Sequence, residues 1–227
     1  MSALTLEAPA APPLLAVRDE HRKWPKTPRL TTPFVITEKI DGTNACVAIS
    51  RIDHGGEVTA ADLDFDNHPG VRVVFGSGAA VWAVRAASRT RWIEPGQKDN
   101  FGFAQWVHEN AEALTALGPG RHYGEWFGRG IQRGYGMDIR CLALFDEQWR
   151  NALPYGLPEN VGVVPRIATA AGHELSKRVA WALDHLDRDG SYVGEPGAVA
   201  EGVVVASMNS NPIRFKALAD EPEWSTI

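Results

Sequence analysis

Residues 33–49 of the chain read PFVITEKIDGTNACVAI, in which two apolar runs flank the pentapeptide KIDGT at residues 39–43. Each apolar run has the length and composition of a β-strand, so Lys39 is predicted to lie where one strand ends and the next begins. A lysine held in a pocket at such a junction loses part of its hydration, which favours the uncharged, nucleophilic amine. The sequence therefore points to Lys39 as a candidate nucleophile.

Outward from this segment, short apolar runs broken by Gly, Asn and Asp continue along the chain, a pattern typical of strands and turns. The predicted strands are 33–38, 44–51, 71–76, 80–87, 121–127, 140–146, 161–164, 201–207 and 212–217. Apolar residues at helical spacing predict two helices, at about 100–117 and 174–186, and the polar segment 53–70 is interpreted as a loop or mobile insertion. Many strands with two helices predict an α+β domain built on antiparallel sheets.

The composition limits the size and class of the protein. The 227 residues suffice for one large domain, with 44% hydrophobic and 22% charged residues and a formal net charge of −5. That negative charge disfavours a protein enveloped by nucleic acid but is compatible with a local basic groove. Basic residues do cluster at 22–29, 85–91 and 129–140, and scattered solvated charge is the alternative interpretation of each cluster.

The two cysteines and the hydropathy of the chain indicate the cellular compartment in which the protein works. Cys46 and Cys141 lie in separate apolar runs and are predicted to be buried free thiols, which fits a reducing cytoplasm. No run of about 18 apolar residues occurs, so no membrane span is expected. Residues 1–16 are rich in Ala and Pro and are interpreted as a disordered arm. We therefore expect a single domain over residues 17–227, with no recognisable accessory domain.

A lysine that attacks the α-phosphorus of a nucleoside triphosphate needs cations for the phosphates, carboxylates for metal or ribose, and an aromatic face for the base. Segments downstream of Lys39 offer each of these groups. Arg89 follows an apolar run and can bind phosphate, with a plain surface arginine as the alternative. Glu125 shares a predicted strand face with Tyr123 and Phe127 and can bind ribose, with a structural arginine partner as the alternative.

Three later segments complete the set of chemical groups. Phe145 near a strand end can stack on a purine, although a core phenylalanine is the alternative. Glu201 precedes an apolar run and can order Mg²⁺ through water, whereas a solvated strand-end glutamate is the competing interpretation. Arg214 and Lys216 share one face of the last predicted strand, where they can meet the triphosphate or guard a strand edge against aggregation.

Together these segments follow the order and much of the wording of the motifs of covalent nucleotidyltransferases. The set resembles the nick-sealing, phage-type RNA ligases and their bacterial, trypanosome and viral relatives, and the pattern Lys-x-x-Gly-Thr-Asn favours them over DNA ligases and capping enzymes. The matching segments are TEKIDGTN at 37–44, SR at 88–89, GEWFG at 124–128, LFD at 144–146, EGVV at 201–204 and RFK at 214–216. The resemblance covers roughly residues 20–220. It implies a nucleotidyltransferase (ATP-grasp-like ligase) domain built on antiparallel β-sheets flanked by helices.

The resemblance implies an ATP-dependent RNA ligase that works in three steps. Lys39 would become lysyl-AMP with release of pyrophosphate, AMP would pass to a 5′-phosphate on RNA, and a 3′-hydroxyl would attack and expel AMP. The cofactors would be ATP and Mg²⁺, with Mn²⁺ as a substitute, and the partners would be RNA ends. A role in RNA repair in the cytoplasm would follow, and either the domain seals RNA unaided or an accessory protein grips the RNA.

The resemblance also implies roles for individual residues. The nucleotide-binding residues by matching position would be Glu38, Ile40, Asn44, Arg89, Glu125, Phe145, Glu201, Val203, Arg214 and Lys216. Glu38 would contact adenine through its backbone, Phe145 would stack on adenine, and Glu125 would hold the ribose. Asn44 would serve a later step near the RNA ends, and Glu201 would support the lysine chemistry and a metal through water. The supporting loop would consist of Asp41, Gly42 and Thr43.

Two departures from the family pattern keep alternatives open. The last motif usually has two lysines, but its first position here is Arg214, which keeps the charge and changes the geometry. Few residues follow Lys216, whereas relatives often carry another domain that grips nucleic acid. The alternatives are a DNA ligase, a capping-type enzyme that uses GTP, and a nucleotide- or RNA-binding module without catalysis. Lysine adenylylation depends least on a further domain and is therefore the safer part of the prediction.

Overall fold

The computed structural model describes residue 27 and residues 29–52, 70–76, 80–96, 98–208 and 213–220, in which eleven strands and three α-helices occur. The strands are β1 (Pro33–Lys39), β2 (Thr43–Ile52), β3 (Val71–Phe75), β4 (Val81–Ala87), β5 (Trp92–Ile93), β6 (Gly120–Gly128), β7 (Arg140–Leu144), β8 (Val161–Val163), β9 (Arg166–Ala171), β10 (Gly202–Ser207) and β11 (Arg214–Leu218). The helices are α1 (Phe103–Glu109), α2 (Ala111–Leu114) and α3 (Leu175–Asp189). The predicted α+β class with antiparallel sheets is confirmed.

The predicted strands all occur, with ends shifted by a few residues, but the prediction missed β5 and β9. β5 has only two residues, and β9 reads RIATAA, whose small and polar side chains give a weak strand signal. The arm at 1–16 and nearly all of the predicted loop at 53–70 lie outside the described residues.

The prediction of one helix at about 100–117 was wrong, because its backbone is interrupted at both ends of α1. Asn100, Phe101 and Gly102 all have positive φ, so the helix cannot begin before Phe103. Asn110 has a non-helical backbone conformation, and its side-chain Nδ2 donates to the carbonyl oxygen of Trp106. The second predicted helix corresponds to α3 and runs three residues further than expected.

The strands form two sheets. The smaller sheet has the order β11-β10-β1-β9, and the larger has the order β3-β4-β2-β6-β7-β8 with β5 paired to β4. All pairs are antiparallel except β7 with β8. Because β1 belongs to the smaller sheet and β2 to the larger, residues 40–42 cross from one sheet to the other. The KIDGT pentapeptide therefore lies at the junction of the two sheets.

Each sheet buries one face against helices. In β2, alternate residues Ala45, Val47 and Ile49 pack against α1 and α2, while α3 packs on the smaller sheet through Val179 and Leu186. A large apolar side chain buried in this way contributes about 1.5–3 kcal/mol. The other face of each sheet, which carries the polar residues of β1, β2 and β6, is turned away from the helices and is called the cleft face below.

Both cysteines lie in the described part of the chain, and both are free thiols as predicted. Cys46 is buried, and burial raises the pKa of its thiol to about 11, which makes it unreactive at neutral pH. Cys141 is only half-buried. None of the helices in the described segments is long and apolar enough to cross a membrane.

Candidate active site

Lys39 and Glu201 form the centre of the site. Lys39 is the last residue of β1 and pairs in register with Gly202 of β10, which brings the preceding Glu201 beside it. Lys39 Nζ donates to Glu201 Oε2 at 2.5 Å, and the two side chains are 25% and 16% exposed. A Cβ on Gly202 would approach the carbonyl oxygen of Ala217 to 2.2 Å, so glycine is needed for β11 to lie this close. The result is a partly desolvated, charge-assisted hydrogen bond.

Glu125 joins the site from the larger sheet. It lies opposite Asn44 in the β2–β6 register, so the two side chains share the face of the sheet that is turned away from α1 and α2. The backbone N–H of Gly42 donates to its carboxylate. The carboxylate of Glu125, from the larger sheet, thus contacts the loop that follows Lys39 of the smaller sheet.

The charge environment of Glu125 shows that several ionisable groups lie close together. Burial raises the pKa of Glu125 to about 7, and this rise is opposed by the charge of Lys39 and by the Gly42 N–H. The neighbouring carboxylates of Glu201 and Asp41 raise it further. Three acids and one lysine therefore share this corner of the cleft, an arrangement typical of functional sites.

A testable consequence is that Glu125 makes the protein less stable as the pH rises. Because its pKa is raised from 4.5 to about 7 in the folded state, its contribution to stability is fully present below about pH 4.5 and is lost as the pH rises through about 7. Glu125→Gln removes this titration. Relative to the parent, the variant is expected to gain roughly 2–3 kcal/mol of unfolding free energy between pH 5 and pH 8. Urea unfolding at both pH values without nucleotide measures this difference.

Glu147 provides the control for this experiment. Burial alone would raise its pKa, but hydrogen bonds and charge from Arg150 and Arg166 outweigh burial and lower the pKa. Its contribution is therefore present above its unfolded pKa and is lost only in acid. Glu147→Gln should shift stability by the same amount at pH 5 and pH 8. A parent and a Glu125→Gln variant with parallel pH profiles would show that Glu125 is ionised in the ordinary way.

The segment that contains Tyr135 holds the lysine loop in place. The backbone N–H of Asp41 donates to the Tyr135 hydroxyl at 2.6 Å, and Arg133 Nε donates to Asp41 Oδ2 at 3.1 Å. Tyr135 is 2% exposed and has φ of 52°, between Gly134 and Gly136, which also have positive φ. A buried tyrosine in the left-handed region is strained and persists only where the surroundings require it.

A second loop holds the other end of the pentapeptide. Thr43 Oγ1 donates to Asn100 Oδ1 at 2.9 Å, and Asn100 Nδ2 donates to the carbonyl oxygen of Asn44 at 3.3 Å. Asn100 and Phe101 have φ of 62° and 56°, which is uncommon for residues other than glycine. The sequence analysis missed Asn100, Arg133 and Tyr135. The glycines that flank Tyr135 are the one local signal that could have drawn attention to them.

Glu38 faces away from Lys39. Its side chain is 1% exposed, accepts a hydrogen bond from the Ser191 hydroxyl, and accepts another from the Tyr192 N–H at 2.9 Å. Its backbone N–H donates to the carbonyl oxygen of Pro165 at 2.8 Å. The carboxylate therefore ties the segment after α3 to β1, and the contact of the Glu38 backbone with adenine stays a prediction.

Phe145 is not a core residue. It lies directly after β7 and donates its backbone N–H to the carbonyl oxygen of Tyr123 at 2.9 Å. The side chains of Phe145 and Tyr123 are 38% and 44% exposed. The alternative of a buried core phenylalanine therefore does not hold, and an aromatic face is open for stacking.

The last strand places its two cations as the sequence predicts. Lys216 pairs with Val204, which in turn pairs with Thr37, and Arg214 occupies the same face two residues earlier. Thr37 and Lys39 lie on one face of β1, so Arg214 and Lys216 share the face of the smaller sheet that carries Lys39. Both cations are exposed.

The structure gives less direct support for three of the residues that are predicted to bind the nucleotide. Arg89 lies exposed in the turn between β4 and β5, and in the described part of the chain no hydrogen bond or ion pair links it to Lys39. The side chain of Ile40 is buried beside Tyr135. The side chain of Val203 packs on the α3 side of the smaller sheet. The roles of all three in nucleotide binding stay predictions.

Whether the site fits a metal ion depends on Glu201. Across the described ranges, no three His, Cys, Asp or Glu side chains gather as a metal cluster. Mg²⁺ bound together with phosphates needs only one or two carboxylates and keeps several waters. Glu201 contacts the amine of Lys39 and so lies beside any phosphate that this amine attacks. The residues fit a metal ion that is held partly by a nucleotide.

Comparison with known proteins identifies the family and the fold of the chain. A protein-family model described as RNA ligase matches residues 32–218. No curated protein is similar enough in sequence to match the chain.

Among solved structures, the chain is similar to three forms of the Naegleria gruberi RNA ligase. A mutant with ATP and Mn is 16% identical, with a TM-score of 0.54 over 84% of this chain and 51% of that one. The ligase with PPi is 18% identical, with a TM-score of 0.51 over 83% and 50%. A mutant with AMP and Mn is 15% identical, with a TM-score of 0.50 over 83% and 50%. The likeness shows the fold, and the chain spans about half the length of these ligases.

Proposed function

Because this chain belongs to the RNA ligase family, we propose that it is an ATP-dependent RNA ligase that joins RNA ends through a lysyl-AMP intermediate on Lys39. The observation that carries the proposal is the contact of Lys39 Nζ with Glu201 Oε2 at the junction of the two sheets, with Glu125 close by. A lone surface lysine would not contact one carboxylate and lie close to a second that comes from the other sheet. RNA repair in the cytoplasm is the setting that this proposal implies.

In the first step the Lys39 amine attacks the α-phosphorus of ATP. A nitrogen–phosphorus bond forms, the bond from the α-phosphorus to the bridging oxygen of the β-phosphate breaks, and pyrophosphate leaves with the electron pair. The Lys39 ammonium must give up one proton to become a nucleophilic amine, and the nitrogen gives up a second proton to solvent as the phosphoramidate forms. Glu201 accepts the hydrogen bond of that amine and is therefore the group in contact that can take the first proton.

The second and third steps transfer AMP and then release it. An oxygen of the RNA 5′-phosphate attacks the phosphorus of lysyl-AMP, the nitrogen–phosphorus bond breaks, and the Lys39 nitrogen takes up two protons to become an ammonium again. The 3′-hydroxyl then attacks the activated 5′-phosphate and loses its proton, a phosphodiester forms, and AMP leaves. In each step the chain mainly positions the reacting atoms and balances charge.

Other residues bind the nucleotide and the RNA ends. Phe145 stacks on adenine, a contact worth about 1–3 kcal/mol, and its exposure supports this role. Glu125 accepts hydrogen bonds from the ribose, and Asn44, opposite it in the register, acts near the RNA ends. Arg214 and Lys216 bind phosphate oxygens from the face that they share with Lys39. The backbone of Glu38 contacts the base, Ile40 and Val203 complete the nucleotide-binding set, and Arg89 holds phosphate or ribose.

A divalent metal ion fits this chemistry. Glu201 would hold Mg²⁺, or Mn²⁺ as a substitute, through water when the nucleotide is bound. Such an ion supplies positive charge that offsets the negative charge of the phosphates. The Asp41 carboxylate remains paired with Arg133 on the lysine loop.

The proposal is tested by labelling and sealing assays on the full chain. With α-labelled ATP and Mg²⁺, label is expected to become covalently attached to the protein and to be displaced by added pyrophosphate. A panel of 5′-phosphorylated RNA and DNA, nicked and single-stranded, then identifies the strands that are joined. Labelling from GTP but not from ATP would exclude an ATP-dependent ligase, and labelling without sealing of any RNA would restrict the function to lysine adenylylation.

A further inference from the structure

A cationic and aromatic surface lies on the cleft face of the larger sheet, beyond Glu125. In the sheet register Ala48 of β2 pairs with Arg85 of β4 on one side and with Arg121 of β6 on the other. These two arginines therefore share the face of Glu125, which lies four residues from Arg121 along β6. Trp92 of β5 pairs two residues beyond Arg85, at Ala87, and belongs to the same face.

The side chains of this surface contact one another across small residues. The Cζ atom of Arg85 lies 4.2 Å from the ring centroid of Trp92, and that of Arg121 lies 5.5 Å from it. The small side chains of Ala48 and Ala87 leave space for these contacts. Trp92 itself remains 40% exposed. The tryptophan thus orients two guanidinium groups beside a surface that solvent reaches.

A pocket of about 370 Å³ opens beside Trp92. Its lining includes Arg85, Arg91 and Lys98, and its described lining residues include one acid, Glu94. The loop around it is closed by a hydrogen bond of 3.2 Å from Arg91 Nη2 to the carbonyl oxygen of Lys98.

The charge of Glu94 acts on Arg85 without forming a direct ion pair between the two side chains. In the described part of the chain, Arg85, Arg91, Lys98 and Arg121 form no ion pair with any carboxylate. The Nε atom of Arg85 is buried without a hydrogen-bond partner among the described residues. This Nε atom is closed off from solvent, so an anionic ligand would instead meet the exposed cations Arg91, Lys98 and Arg121.

We propose that this cationic patch, formed by Arg85, Arg91, Trp92, Lys98 and Arg121, binds the sugar-phosphate backbone of the RNA strand that leads to the join. This inference rests on the proposed function. Guanidinium groups and an aromatic side chain suit the binding of a phosphodiester chain. Because the chain as a whole has a net charge of −5, a local basic surface points to an anionic ligand.

The position of the cationic patch supports RNA as its occupant. At about 3.3 Å per strand residue, Arg121 lies about 13 Å from Glu125 along β6, and a stacked strand advances about 3.4 Å per phosphate. The cationic patch therefore lies within a few nucleotides of the proposed nucleotide site. Tyr123 lies between Glu125 and Arg121 on the same face and is 44% exposed, so an open aromatic side chain connects the two sites.

Arg121→Gln tests the proposal, and the chain offers a matched control. Arg178 on α3 is also exposed and also lies 5.5 Å from a tryptophan ring, that of Trp181, but α3 packs on the smaller sheet. We expect Arg121→Gln to weaken binding of a 5′-phosphorylated 20-nucleotide single-stranded RNA about tenfold, measured by fluorescence anisotropy. The slope of log K against log salt should fall by about 0.7. Arg178→Gln should bind as the parent does.

Labelling with α-labelled ATP, run beside the binding assay, separates this proposal from the proposed function. RNA affinity that is equal in Arg121→Gln and the parent, or that falls equally in Arg178→Gln, would overturn the cationic patch as an RNA site. A parent that labels but does not bind RNA would overturn it too, while leaving lysine adenylylation intact. A parent that binds RNA through Arg121 but takes no label would support the cationic patch and contradict the enzyme. Arg91→Gln, at an exposed pocket residue, serves if Arg121→Gln fails to fold.

Discussion

Replacing Lys39 with methionine is expected to abolish covalent labelling by α-labelled ATP while the protein keeps its fold. The Nζ atom is the proposed nucleophile, and methionine keeps most of the aliphatic stem that packs at the end of β1. The substitution leaves Glu201, which is only 16% exposed, without its cationic partner. We therefore expect a loss of stability of about 1–3 kcal/mol, far less than is needed to unfold a protein of this size. Gel labelling and thermal unfolding measure the two effects.

Two further variants separate the nucleophile from the ion pair. Lys39→Arg keeps a positive charge beside Glu201 but provides no amine, so it should restore stability and still take no label. Lys177→Met removes an exposed lysine from α3 and should label as the parent does. Label on Lys39→Met or Lys39→Arg would show that another residue accepts the nucleotide.

The sequence predicted this centre because its residues carry local signals. Lys39 stands in a short motif between two apolar runs, Glu125 follows the alternation of a strand, and Glu201 opens another apolar run. The proximity of Lys39 to Glu201 was harder to predict, because it depends on a register between strands 162 residues apart in sequence. Only the resemblance to a family placed the two residues in one site.

The residues that support the site could not be predicted, because their backbone conformations are set by tertiary contacts. Tyr135 adopts a positive φ because its hydroxyl must reach the Asp41 N–H, and Asn100 does so beside Thr43 and Asn44. Neither residue type predicts such a conformation by itself.

The cationic patch shows the same limit on sequence reasoning. The cluster of Arg85 with Arg91 is visible in the sequence, but Arg121 meets Trp92 only after β2, β4, β5 and β6 have paired. Strand alternation predicts the face on which each side chain lies, whereas the neighbours on that face depend on the strand order.

Gly42→Ala is expected to reduce the rate of lysine adenylylation by roughly 100-fold or more, since a displacement of about 1 Å at a reacting centre has that effect. A Cβ at this position would lie 2.5 Å from the carbonyl oxygen of Trp126 and 2.9 Å from the Cβ atom of Phe127. These are backbone-anchored atoms of β6 and cannot rotate away. The loop must therefore move away from β6, which breaks the hydrogen bond of the Gly42 N–H with Glu125 and displaces Lys39.

Gly162→Ala is the matched control, because a Cβ atom added to this glycine of β8 would meet no heavy atom within 4 Å, and its φ is not positive. Single-turnover labelling at saturating ATP, with thermal unfolding measured beside it, compares the two variants. A displaced nucleophile lowers the labelling rate even at saturating ATP, whereas a site that has only lost nucleotide affinity regains the parent rate. If Gly42→Ala labels as fast as Gly162→Ala, the close contact between the lysine loop and β6 does not position the amine, and the two sheets contribute to the chemistry independently.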